Sequence, residues 1–204
     1  VKRPTWAVVP AKSLRRGKSR LGRVLAEDER ARFARRLLEH VLGVLADCPL
    51  DGVLVATDGD DVSELALARG VCVRRDEGAG SLATVVDGAL ADIGSRGARA
   101  GVVLMADLPR IEPCDVGELL AALADHDVAL VPDRLGHHTN ALALAPPTAI
   151  ATCFGQKESF LAHCAAARFA GLHVRVLRNE RVAFDVDGPA DHARLKTPRP
   201  EAEP

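Results

Sequence analysis

The 204 residues carry 27 Lys and Arg against 28 Asp and Glu, a formal net charge of −1, and only 3% aromatics with no Tyr and one Trp. Balanced charge argues against a general nucleic-acid binder, and so few rings leave little for single-stranded bases to stack on. No apolar run is long enough to span a bilayer and the first residues run straight into a strand pattern without a signal-peptide core, so a soluble, cytoplasmic protein with no membrane or nucleic-acid partner is expected.

The chain then alternates strand and helix patterns. Thr5 to Val9 reads as a buried strand, and it ends in a loop holding Lys12, Arg15, Arg16, Lys18, Arg20 and Arg23. Glu27 to Ala46 reads as a long helix. Its apolar residues Phe33, Leu37, Leu38, Val41, Leu42 and Leu45 recur at helical spacing, and its acidic start suits the helix dipole. Val53 to Ala56 predicts a strand, Asp60 to Ala68 a helix closed by Gly70, and Val71 to Val73 a short strand. After the Gly78-Ala79-Gly80 break, Ser81 is placed to cap a helix reaching about Leu90.

Gly101 to Met105 predicts a central strand ending at Asp107-Leu108-Pro109, and Pro113 opens a helix. Strands are expected at Asp127–Val131 and Ala141–Leu144, separated by a polar turn at Pro132-Asp133-Arg134. A helix over Ser159–Ala170, late strands at His173–Leu177 and Val182–Phe184, and a short helix over Pro189–Leu195 complete the body. The segment 196–204 is Pro- and Glu-rich and expected to be disordered. One domain over 1–195 follows, α/β in class, with a single mostly parallel, twisted sheet flanked by helices.

A cationic loop at the carboxyl end of a strand in such a sheet points to an anionic ligand, and this many cations point to a polyphosphate. Gly17-Lys18-Ser19 resembles the end of a P-loop, but Lys12 stands where that motif needs its first glycine. Lys12, Lys18, Ser19 and Arg20 can instead surround a triphosphate with backbone amides near Gly17. Asp58, past the second strand, is placed with this nucleotide-facing set. Asp107 sits where a buried strand runs out, and carboxylates there suit Mg²⁺. Asp185 and Asp187 end another apolar run, and strand alternation would put them on one side.

Thr139 and Asn140 lie in a polar turn between strands and are candidates for a small anionic substrate. The neighbouring His137 and His138 read as solvent-facing more readily than as metal ligands. Ser159 opens a helix after Phe154-Gly155, where it can cradle an anion or simply act as an N-cap. The five cysteines have no Cys-x-x-Cys pair and read as small apolar residues.

In order, these motifs (the basic Lys-Ser-Arg-Leu loop, Asp107-Leu108-Pro109, Thr139-Asn140-Ala141-Leu142, Phe154-Gly155 to Ser159-Phe160, and Asp185-Val186-Asp187-Gly-Pro) resemble the 2-phospho-L-lactate guanylyltransferase family of coenzyme F-420 biosynthesis. That family is similar to the molybdenum-cofactor guanylyltransferases. The resemblance implies a Rossmann-like nucleotide-diphospho-sugar transferase fold and transfer of GMP from GTP, with pyrophosphate released. The acceptor would be 2-phospho-L-lactate, phosphoenolpyruvate or 3-phospho-D-glycerate, and the product would pass to a downstream transferase. It further implies that Asp107 with Asp185 or Asp187 holds Mg²⁺, that Thr139, Gly155 and Ser159 hold the acceptor, and that Lys12, Lys18 and Arg20 face the phosphates. Asp107, Lys18 and Lys12 are then the expected catalytic set. The chain departs from the family at Leu82, at His138, and in a Phe154–Ser159 loop one residue longer. Two other readings stay open: a molybdenum-cofactor-type nucleotidyltransferase, and a degenerate nucleotide-binding paralogue.

Overall fold

Alternation along β1 (Thr5–Pro10) sends Ala7 and Val9 to one face and Val8 to the other, yet all three are fully buried. Both faces of this strand are therefore covered, as a strand inside a layered α/β sheet requires. The computed structural model describes residues 3–76, 78 and 80–196. Ala79 of the glycine-rich break, and all of the expected disordered tail except Lys196, lie outside the described residues. The remaining strands are β2 (Gly52–Thr57), β3 (Cys72–Arg75), β4 (Ala100–Leu104), β5 (Val128–Pro132), β6 (Thr139–Leu144) and β7 (Val174–Val176). They form one seven-stranded sheet in the order β3-β2-β1-β4-β6-β5-β7. Every pairing is parallel except those of β6, which runs antiparallel to both β4 and β5.

Helices α1 (Glu27–Ala46), α2 (Asp60–Leu67) and α4 (Pro113–Ala122) supply the core on one face, where Val41, Leu45, Val62, Val116 and Leu119 meet Val9, Val55 and Val102. Helices α3 (Leu82–Ser95) and α5 (Ser159–Phe169) cover the other, where Val86, Leu90, Ile93 and Ala167 meet Val8, Leu54 and Val103. The α1 span agrees with its periodicity, and Glu29 fixes its start by accepting the Ala26 N–H at 2.9 Å. Ser81 caps α3 through Thr84 N at 3.2 Å as expected. The helix runs on past Leu90 to Ser95 because Ile93 continues its buried stripe. No helix among the described residues is long and apolar enough to cross a membrane.

One expected element is absent. Val182–Phe184 forms no strand. Phe184 and Val186 bury instead in a small third cluster with Leu21, Phe33 and Leu37, so their apolar character is spent on α1 rather than on a sheet ladder. The last helix, α6 (Pro189–Lys196), follows this segment.

The direction of β6 positions the site. Its register against β4, Leu104 opposite Ala141, brings the start of β6 beside the carboxyl end of β4. Thr139 and Asn140 thus reach the same sheet edge as Pro10 and Asp107, where ligands bind in open α/β sheets.

Candidate active site

The basic loop after β1 is held open by acidic partners at the start of α2. Asp58 accepts the Ser13 N–H at 2.9 Å and pairs with Arg16 at 3.0 Å. Asp61 accepts Leu14 N at 2.9 Å and the Ser13 hydroxyl at 3.1 Å. Gly59 permits this close approach, since a Cβ there would stand 2.6 Å from Ser13 Cα. Arg16 and Gly17 N–H groups both donate to Ser13 O, at 3.0 and 2.9 Å, and Lys18 follows in the left-handed region at φ 53°. A 3-10 turn, Ser19–Arg23, comes next, with Leu21 buried as its anchor.

That backbone turn aims Lys18 inward. Its ammonium pairs with Asp107 and lies 3.7 Å from Asp187, and its side chain is only 12% exposed. Arg20, by contrast, is exposed and pairs with Asp187 at 3.0 Å. Ser19 is exposed and lines neither cavity of the site, so the turn points it away from the nucleotide-facing set in which the sequence placed it.

Asp107, Asp185 and Asp187 come together without a strand, each offering a carboxylate oxygen within 4.8 Å of the others. Alternation still operates: Phe184 and Val186 face the core, and the two aspartates between and after them face the cleft. Asn140 holds this segment from β6, its side-chain amide donating to Val182 O at 3.0 Å and to Asp185 Oδ1 at 3.2 Å. Both amide hydrogens are used in this way, so Asn140 supports the acidic segment while it also borders the cavity in which the sequence reading expected the substrate.

A second anchor was not legible at all. Asp115 on α4 is buried and receives Arg181 Nε at 2.9 Å and Asn179 Nδ2 at 2.7 Å. Burial alone would raise the Asp115 pKa, but Arg181, Asn179 and the Glu112 amide together hold it below the ordinary carboxylate range. Asp185 has the opposite balance. Burial first, then repulsion by Asp107 and Asp187, push its pKa up to about 6 against the help of Asn140. An oxygen-only donor set whose charges repel one another suits a hard divalent cation.

Two cavities meet here. The larger, about 910 Å³, is lined by Pro10, Lys12, Gly17, Asp58, Ser81 and Ala83. The smaller, about 240 Å³, is lined by Arg20, His138, Thr139, Asn140, Ser159 and Asp185. Asp107, Asp187, Leu82, Gly155 and Gln156 line both. Lys12 is exposed at the rim of the larger cavity. His137 and His138 are exposed, and His137 faces Glu158 at 3.4 Å. Among the described residues the group able to hold a metal is the aspartate cluster, not the histidines.

Ser159 is the first residue of α5 rather than its cap, and its hydroxyl accepts the Thr139 N–H at 3.2 Å. Gly155 turns the preceding loop at φ +84°, with space for a Cβ limited by Leu82 at 3.4 Å. Sequence reasoning missed His163, fully buried beneath this loop. Its only signal was one helical turn of separation from Ser159.

A family model described as "Guanylyl transferase CofC like" matches residues 5–196. The chain belongs to this family. A phosphoenolpyruvate guanylyltransferase of Sphaerobacter thermophilus is 43% identical to it over 94% of this chain and 92% of that one. A 2-phospho-L-lactate guanylyltransferase of Halorubrum lacusprofundi is 36% identical over 90% and 80% of the two chains. In fold, the chain is similar to a nucleotide-diphospho-sugar transferase structure from Desulfovibrio desulfuricans G20, with TM-score 0.80 at 20% identity over 95% of this chain and 87% of that one. The expected fold class is thus the observed one, and the two cavities of this CofC-like guanylyltransferase are arranged around its three aspartates.

Proposed function

We propose that the protein transfers GMP from GTP to a small phosphorylated acid, with phosphoenolpyruvate the first acceptor to test. The carrying observation is the junction of the two cavities, where Asp107 and Asp187 line both and Lys18 reaches each of them. The larger cavity has room for a nucleoside triphosphate and the smaller suits a compact anion. Membership in the family and the names of its relatives support guanine and a phospho-acid. The same names favour a place in coenzyme F-420 biosynthesis, and consumption of the product by a downstream transferase belongs to this proposal.

The chemistry needs no activated side chain. The acceptor phosphate is already ionised near neutral pH. One of its oxygens forms a bond to the α-phosphorus of GTP, the bond from that phosphorus to the β-phosphate oxygen breaks, and pyrophosphate leaves. The obstacle is bringing two anions together. Lys18 and Arg20 stand at that junction and Lys12 at the nucleotide rim, where each reduces the repulsion. Thr139, Gly155 and Ser159 border the acceptor cavity and hold the nucleophile in line.

Asp107, Asp185 and Asp187 fit Mg²⁺. Their oxygens, gathered within 4.8 Å of one another, are the hard donors that such a cation takes. When bound there, Mg²⁺ supplies charge neutralisation for the triphosphate and the departing pyrophosphate. The cation pairs made by Lys18 and Arg20 gather Asp107 and Asp187 in the meantime, and Asn140 holds Asp185. The clustering of the three aspartates, and the two hydroxyls of Thr139 and Ser159 along the smaller cavity, support a working enzyme over a degenerate paralogue despite the changes at Leu82, His138 and the 154–159 loop.

The test is pyrophosphate release from GTP with Mg²⁺ and each of phosphoenolpyruvate, 2-phospho-L-lactate and 3-phospho-D-glycerate, with the guanylylated product identified by mass. Release that requires both metal and acceptor is expected. Silence with all three acceptors would overturn the reading.

A further inference from the structure

His163 is wholly buried beneath the smaller cavity, and its two ring nitrogens face different partners. Nε2 lies 2.8 Å from the backbone nitrogen of Cys153. A backbone N–H can only donate, so Nε2 must present its lone pair. Nδ1 lies 3.0 Å from Thr139 Oγ1. In a neutral imidazole whose Nε2 is bare, Nδ1 carries the proton. The Ser159 backbone also favours a proton on this ring. Burial depresses the His163 pKa to about 4, so the ring is neutral at pH 7.

The consequence falls on Thr139. Its Oγ1 faces a nitrogen that already bears hydrogen, so it accepts there and cannot donate. Its hydroxyl proton is turned away from His163. Thr139 lines the smaller cavity, and an acceptor anion there is the partner that a directed O–H would meet. The same ring supports the opposite wall. Its bond to Cys153 N fixes the loop entering Gly155, and the Phe154 ring packs edge-on against it with centroids 4.7 Å apart.

We infer that His163 is a positioning residue: held as the Nδ1–H tautomer by the Cys153 amide, it aims the Thr139 hydroxyl proton into the acceptor cavity. The inference rests on the proposed reading only for the identity of the anion, a phosphorylated acid.

A long-range proton–nitrogen correlation spectrum of the whole protein at pH 7 tests the first half without any turnover. His163, assigned by its loss in His163→Asn, should show a protonated Nδ1 and a bare Nε2. A proton on Nε2, or an imidazolium, overturns the inference.

The second half is read in kinetics with phosphoenolpyruvate and GTP. Thr139→Val should raise the KM for phosphoenolpyruvate about ten- to a hundredfold, the loss of one hydrogen bond to a charged group, while leaving the KM for GTP in place. Thr139→Ser should restore it. His163→Leu should raise the same KM, and His163→Asn, whose amide N–H can stand where Nδ1–H stood, should recover most of the loss. An unchanged KM in Thr139→Val, or equal losses in the two His163 variants, overturns the positioning role while the activity stands. If wild type turns over none of the three acceptors, the activity reading fails by itself. Calorimetric binding of inorganic phosphate to wild type and Thr139→Val then decides the inference, with weaker binding in the variant supporting it and equal binding overturning it.

Discussion

The Asn140 side-chain amide donates to the Asp185 carboxylate at 3.2 Å, tying the start of a sheet strand to an acidic segment that has no ladder of its own. The bond matters because Asp185 is 45 residues further along the chain and its charge is disfavoured by burial and by the neighbouring aspartates. Removing it frees the segment and leaves the buried Val182 carbonyl without its side-chain donor.

Asn140→Ala should therefore lose stability by about 1–3 kcal/mol and weaken metal binding roughly ten- to a hundredfold, as loss of an outer support to a metal ligand does. A chemical melt and a Mg²⁺ titration of turnover check the two effects separately. Unchanged metal dependence would remove Asn140 from this role.

Asp107→Ala should abolish measurable pyrophosphate release, a loss of at least about a thousandfold, while the fold survives. Asp107 faces the cleft and adds little to the core. Circular dichroism alongside the assay separates the two, and normal turnover would remove Asp107 from the metal site.

Asp185→Asn should stabilise the metal-free protein. The folded carboxyl holds its proton to about 6, above the ordinary 3.8. A folded pKa raised in this way costs stability above pH 6, and the cost fades as pH falls towards 4. The variant should exceed wild type by up to about 3 kcal/mol above pH 6 and match it below 4, and Mg²⁺ should raise the melting temperature of wild type more than that of the variant. Equal stability of the two at pH 8 would contradict the repulsion. His163 works in the other direction. Its folded pKa is depressed to about 4, so its contribution is lost as pH falls from about 6.5 to 4, and that acid loss should be steeper in Asp185→Asn than in wild type.

Asp115→Ala should cost about 2–4 kcal/mol, because it leaves the Arg181 guanidinium and the Asn179 amide without their buried acceptor. It should also lower kcat, although Asp115 touches neither cavity. Denaturant melts and steady-state kinetics on the same preparation would show whether stability and turnover fall together.

Much of this was legible in the sequence. The α1 span stood out because six apolar residues from Phe33 to Leu45 recur at helical spacing, and all six are buried. Asp107 stood out because it ends an apolar run that only a covered strand can bury. Asp185 and Asp187 were found for an incomplete reason: their alternation is real, but it comes from Phe184 and Val186 docking on α1 rather than from pairing. Asp115 and His163 were not found because each is a polar residue on a helix whose partner lies far away in sequence, and no local spacing encodes such a partner. The turn of Lys18 into the cleft was hidden too, since it depends on a left-handed backbone at a residue that is not glycine.

The reversed strand β6 has a consequence for how such enzymes diversify. Because it runs against its neighbours, the hairpin bend 133–138 that precedes it brings His138 to the smaller cavity. The larger cavity takes much of its lining from the loops after β1, β2 and β3. Insertions or exchanges in that bend can reshape the smaller cavity while the sheet register and the larger cavity stay as they are; under the proposed function, selection could then change the acceptor without rebuilding the site that takes the nucleotide.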